Sequence, residues 1–263
     1  MNFLVQQQPA YVYTGTRAFD AGKPTIVFIH GSANDHSVWT YQARWFAHHG
    51  WNALAPDLPG HGKSFGAPRA SVEAYADWIV NLLDNGGIEK AVLVGHSMGS
   101  LAVLDCVARY PSRATKAVLI GCGVPMAVSD ALLDAARNRP HEAFDMLNLW
   151  GHAPQLKWGK NPTPGTSSLM AYKRLLESSA PGVLANDLAA CGAYAPDTAR
   201  LQSATVPVLL LTGTRDLLTP AKAGAALAKQ LPNARFVTVP DCGHSLMQEA
   251  PAETLKHLRA FLN

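Results

Sequence analysis

An excess of charge of either sign, paired metal-type cysteines and long apolar runs are all missing from this sequence, and each absence closes off a class of function. Lys and Arg number 22 against 19 Asp and Glu, a formal balance of +3, and the basic residues are scattered rather than drawn into a stripe that would follow a phosphate backbone. No nucleic-acid partner is expected. Cys106, Cys122, Cys191 and Cys242 lie far apart and form no C-x-x-C pair, so neither a metal knuckle nor a small-protein disulfide framework is expected. They read as buried free thiols. No stretch of about 18 uncharged apolar residues occurs, and Met1 to Pro9 lacks a basic segment leading into an apolar one. The expectation is a soluble, cytoplasmic protein with no membrane span, a monomer or homodimer.

What is present is ordinary globular composition: 48% apolar and 16% charged residues in a chain of 263. At this length folding leaves about 11,000 Å² of surface from about 41,000 Å² in the extended chain, so one core suffices without disulfide staples. Short apolar runs, Thr25 to His30, Ala53 to Ala55, Ala91 to Val94 and Ala117 to Ile120, read as buried parallel strands. Helical stretches separate them: Val38 to His49, Val72 to Leu83 entered through Ser71, and Met98 to Tyr110 stopped by Pro111. The alternation resumes with Val208 to Thr212, a helix from Pro220, a strand over Arg235 to Val239 and a last helix around Leu258. The pattern predicts an α/β fold, a doubly wound, mostly parallel sheet covered by helices on both faces. Between the two halves, helical periodicity and many Pro and Gly predict a helical cap, because a structureless loop of that length is uncommon. The expected division is residues 1–123 and 204–263 for the core and 124–203 for the cap, whose Trp150, Trp158, Tyr172 and Tyr194 look exposed.

Two stretches fit G-x-S-x-G. Gly62-Lys63-Ser64-Phe65-Gly66 follows turn residues and precedes no helix, so Ser64 belongs to a loop. Gly95-His96-Ser97-Met98-Gly99 follows the strand run AVLV and opens a helix with Leu101, Leu104 and Val107 on one face, so Ser97 sits on a strand-to-helix turn. Such a turn strains its central residue, and glycines two positions either side let strand and helix pass closely. The serine then projects from the carboxyl edge of the sheet, where the helix dipole favours negative charge. Other signatures fail: a phosphate loop ending in Gly62-Lys63-Ser64 would need glycine at Asp57, and His141-Glu142 meets Asp145 where H-E-x-x-H needs a second histidine. No metal site is indicated.

A serine hydroxyl needs a base, and the base a carboxylate that fixes its tautomer. Of ten histidines, His244 follows the last strand at the same sheet edge as Ser97. His48, His49, His141, His152 and His257 suit surface or cap, His61 a loop, and His96 points away from the serine. For the acid, Asp216 follows the VLLLT strand in the order Ser, Asp, His; Asp241 and Asp57 compete, and Asp216 also suits a helix cap near Thr219. The backbone N–H groups of Ser32, after His30-Gly31, and of Met98 are placed to receive an oxyanion.

His30-Gly31-Ser32, Asp57-Leu58-Pro59-Gly60-His61-Gly62-Lys63-Ser64, Gly95-His96-Ser97-Met98-Gly99, Gly213-Thr214-Arg215-Asp216 and Gly243-His244 together resemble the α/β-hydrolase family, over roughly residues 23–123 and 204–263. The resemblance implies a Ser97, Asp216, His244 triad under a cap, and hydrolysis, usually of an ester, without a cofactor. Relatives that act on halides or epoxides use aspartate where this chain has Ser97, so those chemistries are not expected. Relatives that cleave carbon–carbon bonds often carry tryptophan after the histidine, where this chain has Ser245. Enol-lactone hydrolases, cofactor-free haloperoxidases or perhydrolases and carboxylesterases share the same core. The expected substrate is a small, largely apolar ester or lactone, cleaved through an acyl-enzyme; the cap's Met126, Met146, Leu147, Trp150 and Trp158 point to an apolar or ring-bearing group. The alternatives are carbon–carbon hydrolysis, haloperoxidase or perhydrolase chemistry, or a slow-turnover receptor.

Overall fold

Along the sheet, side chains of successive residues divide cleanly between two packed layers. The structure, a computed structural model, describes residues 1–159, 161–162 and 164–263. The elements run β1 (Asn2–Val5), β2 (Gln8–Tyr13), β3 (Thr25–Ile29), α1 (Thr40–Ala47), β4 (Asn52–Pro56), α2 (Val72–Asn85), β5 (Ala91–His96), α3 (Met98–Arg109) and β6 (Ala114–Ile120). The chain then passes through α4 (Asp130–Asn138), α5 (Pro140–Trp150), α6 (Ser168–Glu177), α7 (Val183–Ala193) and α8 (Thr198–Ser203). It returns to the sheet with β7 (Val208–Gly213), α9 (Ala221–Ala228), β8 (Ala234–Val239), α10 (Leu246–Glu249) and α11 (Pro251–Leu262).

The eight strands lie in the order β1-β2-β4-β3-β5-β6-β7-β8. From β4 to β8 every pairing is parallel, whereas β1 and β2 form an antiparallel hairpin against β4 that the apolar runs did not foretell. Val27, Ile29, Leu93, Leu119 and Leu210 face one layer, which contains α2 and α3. Their neighbours Ile26, Phe28, Val94, Val118 and Leu211 face the other, which contains α1 and α11. Burial on both faces is why these strands read as unbroken apolar runs. The sheet is thus doubly covered, and the accessible surface is 11,073 Å². No helix among the described residues is long and apolar enough to cross a membrane.

Local signals set the helix ends. Ser71 caps α2 by accepting the Ala74 N–H at 3.2 Å, and left-handed Gly87 follows its end. The segment expected to be helical from Val38 opens as a 3₁₀ turn over His36–Trp39 capped by Asp35, and α1 starts only at Thr40. The helices α4 to α7 share an apolar cluster of their own that takes in Ala33 from the core. Tyr172 and Tyr194, read as exposed, are each 5% exposed: Tyr172 belongs to that cluster and Tyr194 packs into the core layer below. Of the four cap aromatics expected at the surface, Trp158 faces solvent, at 84%, and Trp150 is half-buried.

Ile79 is fully buried on the sheet-facing side of α2, while Asp84 on the same helix pairs with Arg113 at 2.7 Å near the surface. Ile79→Ala is expected to cost about 2–5 kcal/mol in urea unfolding, and Asp84→Ala about 0–1 kcal/mol.

Candidate active site

Ser97 is the single residue between β5 and α3, with φ 53° and ψ −121°, a left-handed backbone rare outside glycine. Its N–H donates to Ile120 O at 2.9 Å, which ties the turn to β6. The flanking glycines are required by contact: a Cβ on Gly95 would strike the Gly99 carbonyl and come within 2.7 Å of Ser100 Cα, and one on Gly99 would lie 2.5 Å from the carbonyl oxygens of Ile29 and His30. Three backbones meet here with no room for a methyl group. Met98 occupies the first turn of α3, where helices leave N–H groups without intrahelical acceptors, and its side chain is fully buried. Ser64, the competing serine, is structural: its hydroxyl donates to Asp57 O at 2.6 Å and accepts the Tyr11 N–H at 2.9 Å.

Asp216 follows β7, and its carboxylate is met by four donors. Oδ1 accepts the N–H groups of Leu218 and Thr219, both at 2.8 Å, and Oδ2 accepts the Thr219 hydroxyl at 2.6 Å and His244 Nδ1–H at 2.8 Å. The capping reading and the pairing reading of Asp216 are therefore both true. Burial pushes its carboxyl upward, but the neighbouring His244 and the Thr219 bonds outweigh this and hold it below the usual carboxylate range. Because the acceptor is a carboxylate, the proton of neutral His244 resides on Nδ1 and its Nε2 carries a lone pair. Of the competing acids, Asp57 bonds His36 Nδ1 at 2.8 Å, and exposed Asp241 pairs with Arg215 at 3.4 Å.

His244 and Ser97 line one narrow cavity of about 60 Å³ together with Gly31, Ser32, Asn34 and His96. The structure bonds Asp216 to His244, and Ser97 lines the same cavity as His244; among the described residues no hydrogen bond joins the Ser97 hydroxyl to His244. The cap side of the wall is apolar, with Met126, Val128, Leu132, Leu147 and Leu188, and includes neutral Tyr172 and Cys191, while Leu218 adds an apolar side chain from the loop after β7. Of the cap residues expected to shape this pocket, Met126 and Leu147 line it, whereas Met146, Trp150 and Trp158 are outside the lining.

Several residues around the site carried no pattern in the sequence. Thr219 bridges the pair, with its hydroxyl oxygen 3.1 Å from His244 Nδ1. Glu249 accepts the Gly243, Ser245 and Ala153 N–H groups at 3.0, 3.2 and 2.9 Å, fastening both neighbours of His244 and a cap segment to one carboxylate. Burial raises the Glu249 carboxyl, and the backbone donors counter only part of that shift. The His244 N–H donates to Gly151 O in the cap at 2.8 Å.

His96 corrects an expectation: its ring lies 4.7 Å from that of His244, lines the cavity and donates from Nε2 to His244 O at 3.1 Å. Burial and the adjoining His244 drive its pKa well below the ordinary value, so it is neutral. His152, expected at the surface or in the cap, lies between α5 and α6, is 2% exposed and meets the Tyr172 ring edge-on at 5.0 Å. The donor atoms of Asp35, His36 and Asp57 lie within 4.8 Å of one another. Asp57 already accepts the His36 N–H at 2.7 Å, His36 Nδ1–H at 2.8 Å and the Lys63 N–H at 2.8 Å, so the group braces two loops.

The family described as "Alpha/beta hydrolase family" has a sequence model that matches residues 26–257. The chain is 31% identical over 242 residues to a 2-hydroxy-6-oxononadienedioate/2-hydroxy-6-oxononatrienedioate hydrolase of Paraburkholderia phymatum, covering 85% of this chain and 82% of that protein. It is 30% identical over 255 residues to the bifunctional esterase/perhydrolase DCH of Acinetobacter calcoaceticus, covering 91% of each. Among solved structures, the enol-lactonase from Burkholderia xenovorans LB400 superposes with a TM-score of 0.87 at 22% identity, over 100% of this chain and 99% of that one, a likeness of fold.

Burial pushes His30 and His152 down to about 4, in His30 with help from nearby His61. Unfolded histidine titrates near 6.5, so between about pH 6.5 and 4 the unfolded chain binds more protons and stability falls as pH falls, by about 1.4 kcal/mol per pH unit for each such group. His152→Gln should therefore lose less stability than the parent protein between pH 7 and 5 in urea unfolding; equal losses would show that His152 is not held neutral.

Proposed function

The chain belongs to the alpha/beta hydrolase family, and from that premise we propose that it is a serine hydrolase cleaving a small, largely apolar carboxylic ester or lactone through an acyl-enzyme. The observation that carries this reading is the buried Asp216–His244 pair, bonded at 2.8 Å, on the same cavity as Ser97 in its strained turn. His244 takes the Ser97 hydroxyl proton from its Nε2 side as Oγ attacks the carbonyl carbon, and the anionic Asp216 stabilises the imidazolium that forms. The N–H groups of Ser32 and Met98 receive the developing oxyanion. His244 then protonates the leaving oxygen, and a water activated by the same imidazole releases the acid. The Ser97–His244 contact tightens as substrate fills the cavity, since such hydrogen bonds are often open in the free enzyme.

The pocket supports the substrate class. Its wall combines six aliphatic side chains or more with neutral Asn34 and Tyr172, which suits a compact uncharged acyl group or a lactone ring. Carbon–carbon hydrolysis is the second reading, favoured by the identity to the Paraburkholderia hydrolase, whose name specifies a dicarboxylate. Among the described residues, however, no Lys or Arg lines the cavity to pair with a carboxylate. The esterase/perhydrolase of Acinetobacter calcoaceticus, similar over nearly the whole length, supports the ester reading.

With short p-nitrophenyl esters, Ser97→Ala is expected to lower kcat by about 10³- to 10⁶-fold and Asp216→Asn by about 10⁴-fold. A fluorophosphonate should label the Ser97 peptide and leave Ser64 unmodified. Labelling at Ser64, or a single slow turnover per chain, would overturn the assignment, the latter in favour of a receptor.

A further inference from the structure

A second buried histidine–carboxylate pair lies outside the chemistry just described. Asp187 projects from α7 in the cap and is fully buried. Its Oδ2 accepts His61 Nε2–H at 2.8 Å and the Ala33 N–H at 2.9 Å, and its Oδ1 accepts the Tyr75 hydroxyl at 2.9 Å and Asn186 Nδ2–H at 3.3 Å. His61 stands in the loop between β4 and α2, with Nδ1 2.9 Å from Pro59 O. Both ring nitrogens thus face acceptors, the arrangement of an imidazolium. Burial opposes that charge, and Asp187 outweighs it, raising His61 above the ordinary histidine value; burial likewise opposes the Asp187 anion, and His61 with the other donors holds it below the carboxylate range.

The Ala33 bond is the one that reaches the active site. Ala33 has φ 53°, is 2% exposed, and sits one residue beyond Ser32 in a turn closed by Asn34 N–H donating to Gly31 O at 3.2 Å. A left-handed non-glycine residue persists where its surroundings over-determine it. Here the determining bond comes from the cap, not from the strand that delivers the turn. We propose that Asp187 is a positioning residue for the oxyanion turn: by accepting the Ala33 N–H it holds Gly31–Asn34, and with them the Ser32 N–H, in the orientation that receives the developing negative charge. This rests on the roles assigned above to Ser97 and Ser32. It makes cap docking and transition-state stabilisation one event, because the residue that fixes the turn belongs to the cap.

The groups facing this pair are His30, whose ring is 5.0 Å from His61 and whose pKa burial pushes down to about 4; Tyr75 from α2; Cys191 on α7, whose thiol burial pushes up to about 12; and the Asp57 anion after β4. His61 is therefore the cation that keeps Asp187 an acceptor. With p-nitrophenyl acetate and the full chain, Asp187→Ala is expected to lower kcat about 10²-fold, the loss of one oxyanion donor, with KM changed less than about threefold. Tyr75→Phe removes a bond from the same carboxylate but leaves Ala33 held, so kcat should stay within about threefold of the parent. His61→Gln keeps a donor without the charge, so the carboxyl protonates at higher pH and its kcat–pH profile gains an acid limb displaced upward, recovering at alkaline pH. This last variant decides the matter if Asp187→Ala does not fold. A folded Asp187→Ala with parental kcat, equal kcat losses in the alanine and Tyr75→Phe variants, or an unmoved profile in His61→Gln would overturn the inference. Should Ser97 escape fluorophosphonate labelling in the parent protein, the serine-hydrolase reading itself has failed; labelled Ser97 with an indifferent Asp187 defeats this inference alone.

Discussion

A carboxylate with almost no access to water survives only if its lone pairs are met by donors, and the site is organised by how Asp216 meets that demand. Two backbone N–H groups, one hydroxyl and one imidazole surround it. An unpaired buried charge is costly, whereas the same charge bonded on every side is stable and fixed in direction. That fixes the tautomer of neutral His244, and the tautomer fixes which ring nitrogen keeps a lone pair. Thr219 matters here because its hydroxyl gives Asp216 a bond that does not depend on the histidine, so the carboxylate keeps its place while His244 changes protonation state.

The same principle recurs where the cap meets the core. Gly151 O receives the His244 N–H, Glu249 receives N–H groups from both neighbours of His244 and from Ala153, and Asp187 receives Ala33. Two of these three acceptors are carboxylates, Asp187 buried and Glu249 half-buried, that join segments distant in sequence. The helices α4 to α7 also share their apolar cluster with Ala33. The cap is therefore part of the scaffold that orients the histidine loop and the turn after β3, and its removal would cost more than the roof of a pocket.

How much of this was legible in the sequence follows from what each kind of signal encodes. Strands buried on both faces show as apolar runs, and Ser97 announced itself because a strand, a glycine-spaced turn and a helix occur in immediate succession. The Asp216–His244 contact is legible because both residues follow strands at the same sheet edge. Thr219, Glu249 and Asp187 gave no such sign. Each acts through bonds to main-chain atoms or to other side chains, and periodicity reports which face a residue occupies, not what it touches. Buried Tyr172 and Tyr194 were misjudged for a related reason: in a Pro- and Gly-rich stretch the apolar period is broken, yet the Tyr194 hydroxyl lies 3.3 Å from buried Asp105. The β1–β2 hairpin was missed because only alternate residues of its strands are buried, in segments of four and six residues.

His96 shows how burial selects a charge state the chemistry needs. Its ring is 4.7 Å from His244, and a proton on both would place two cations side by side in a site of low dielectric. During the proposed reaction His244 must become an imidazolium, stabilised by Asp216 alone among the acids bonded to it. A charged His96 would oppose that step from the opposite side. Burial prevents this, and the Nε2–H bond to the His244 carbonyl ties the ring to the histidine loop. Two neighbouring histidines thus carry different assignments, one bonded to a carboxylate and the other held neutral by burial. That difference arises from their partners: a carboxylate for His244, a neutral carbonyl for His96.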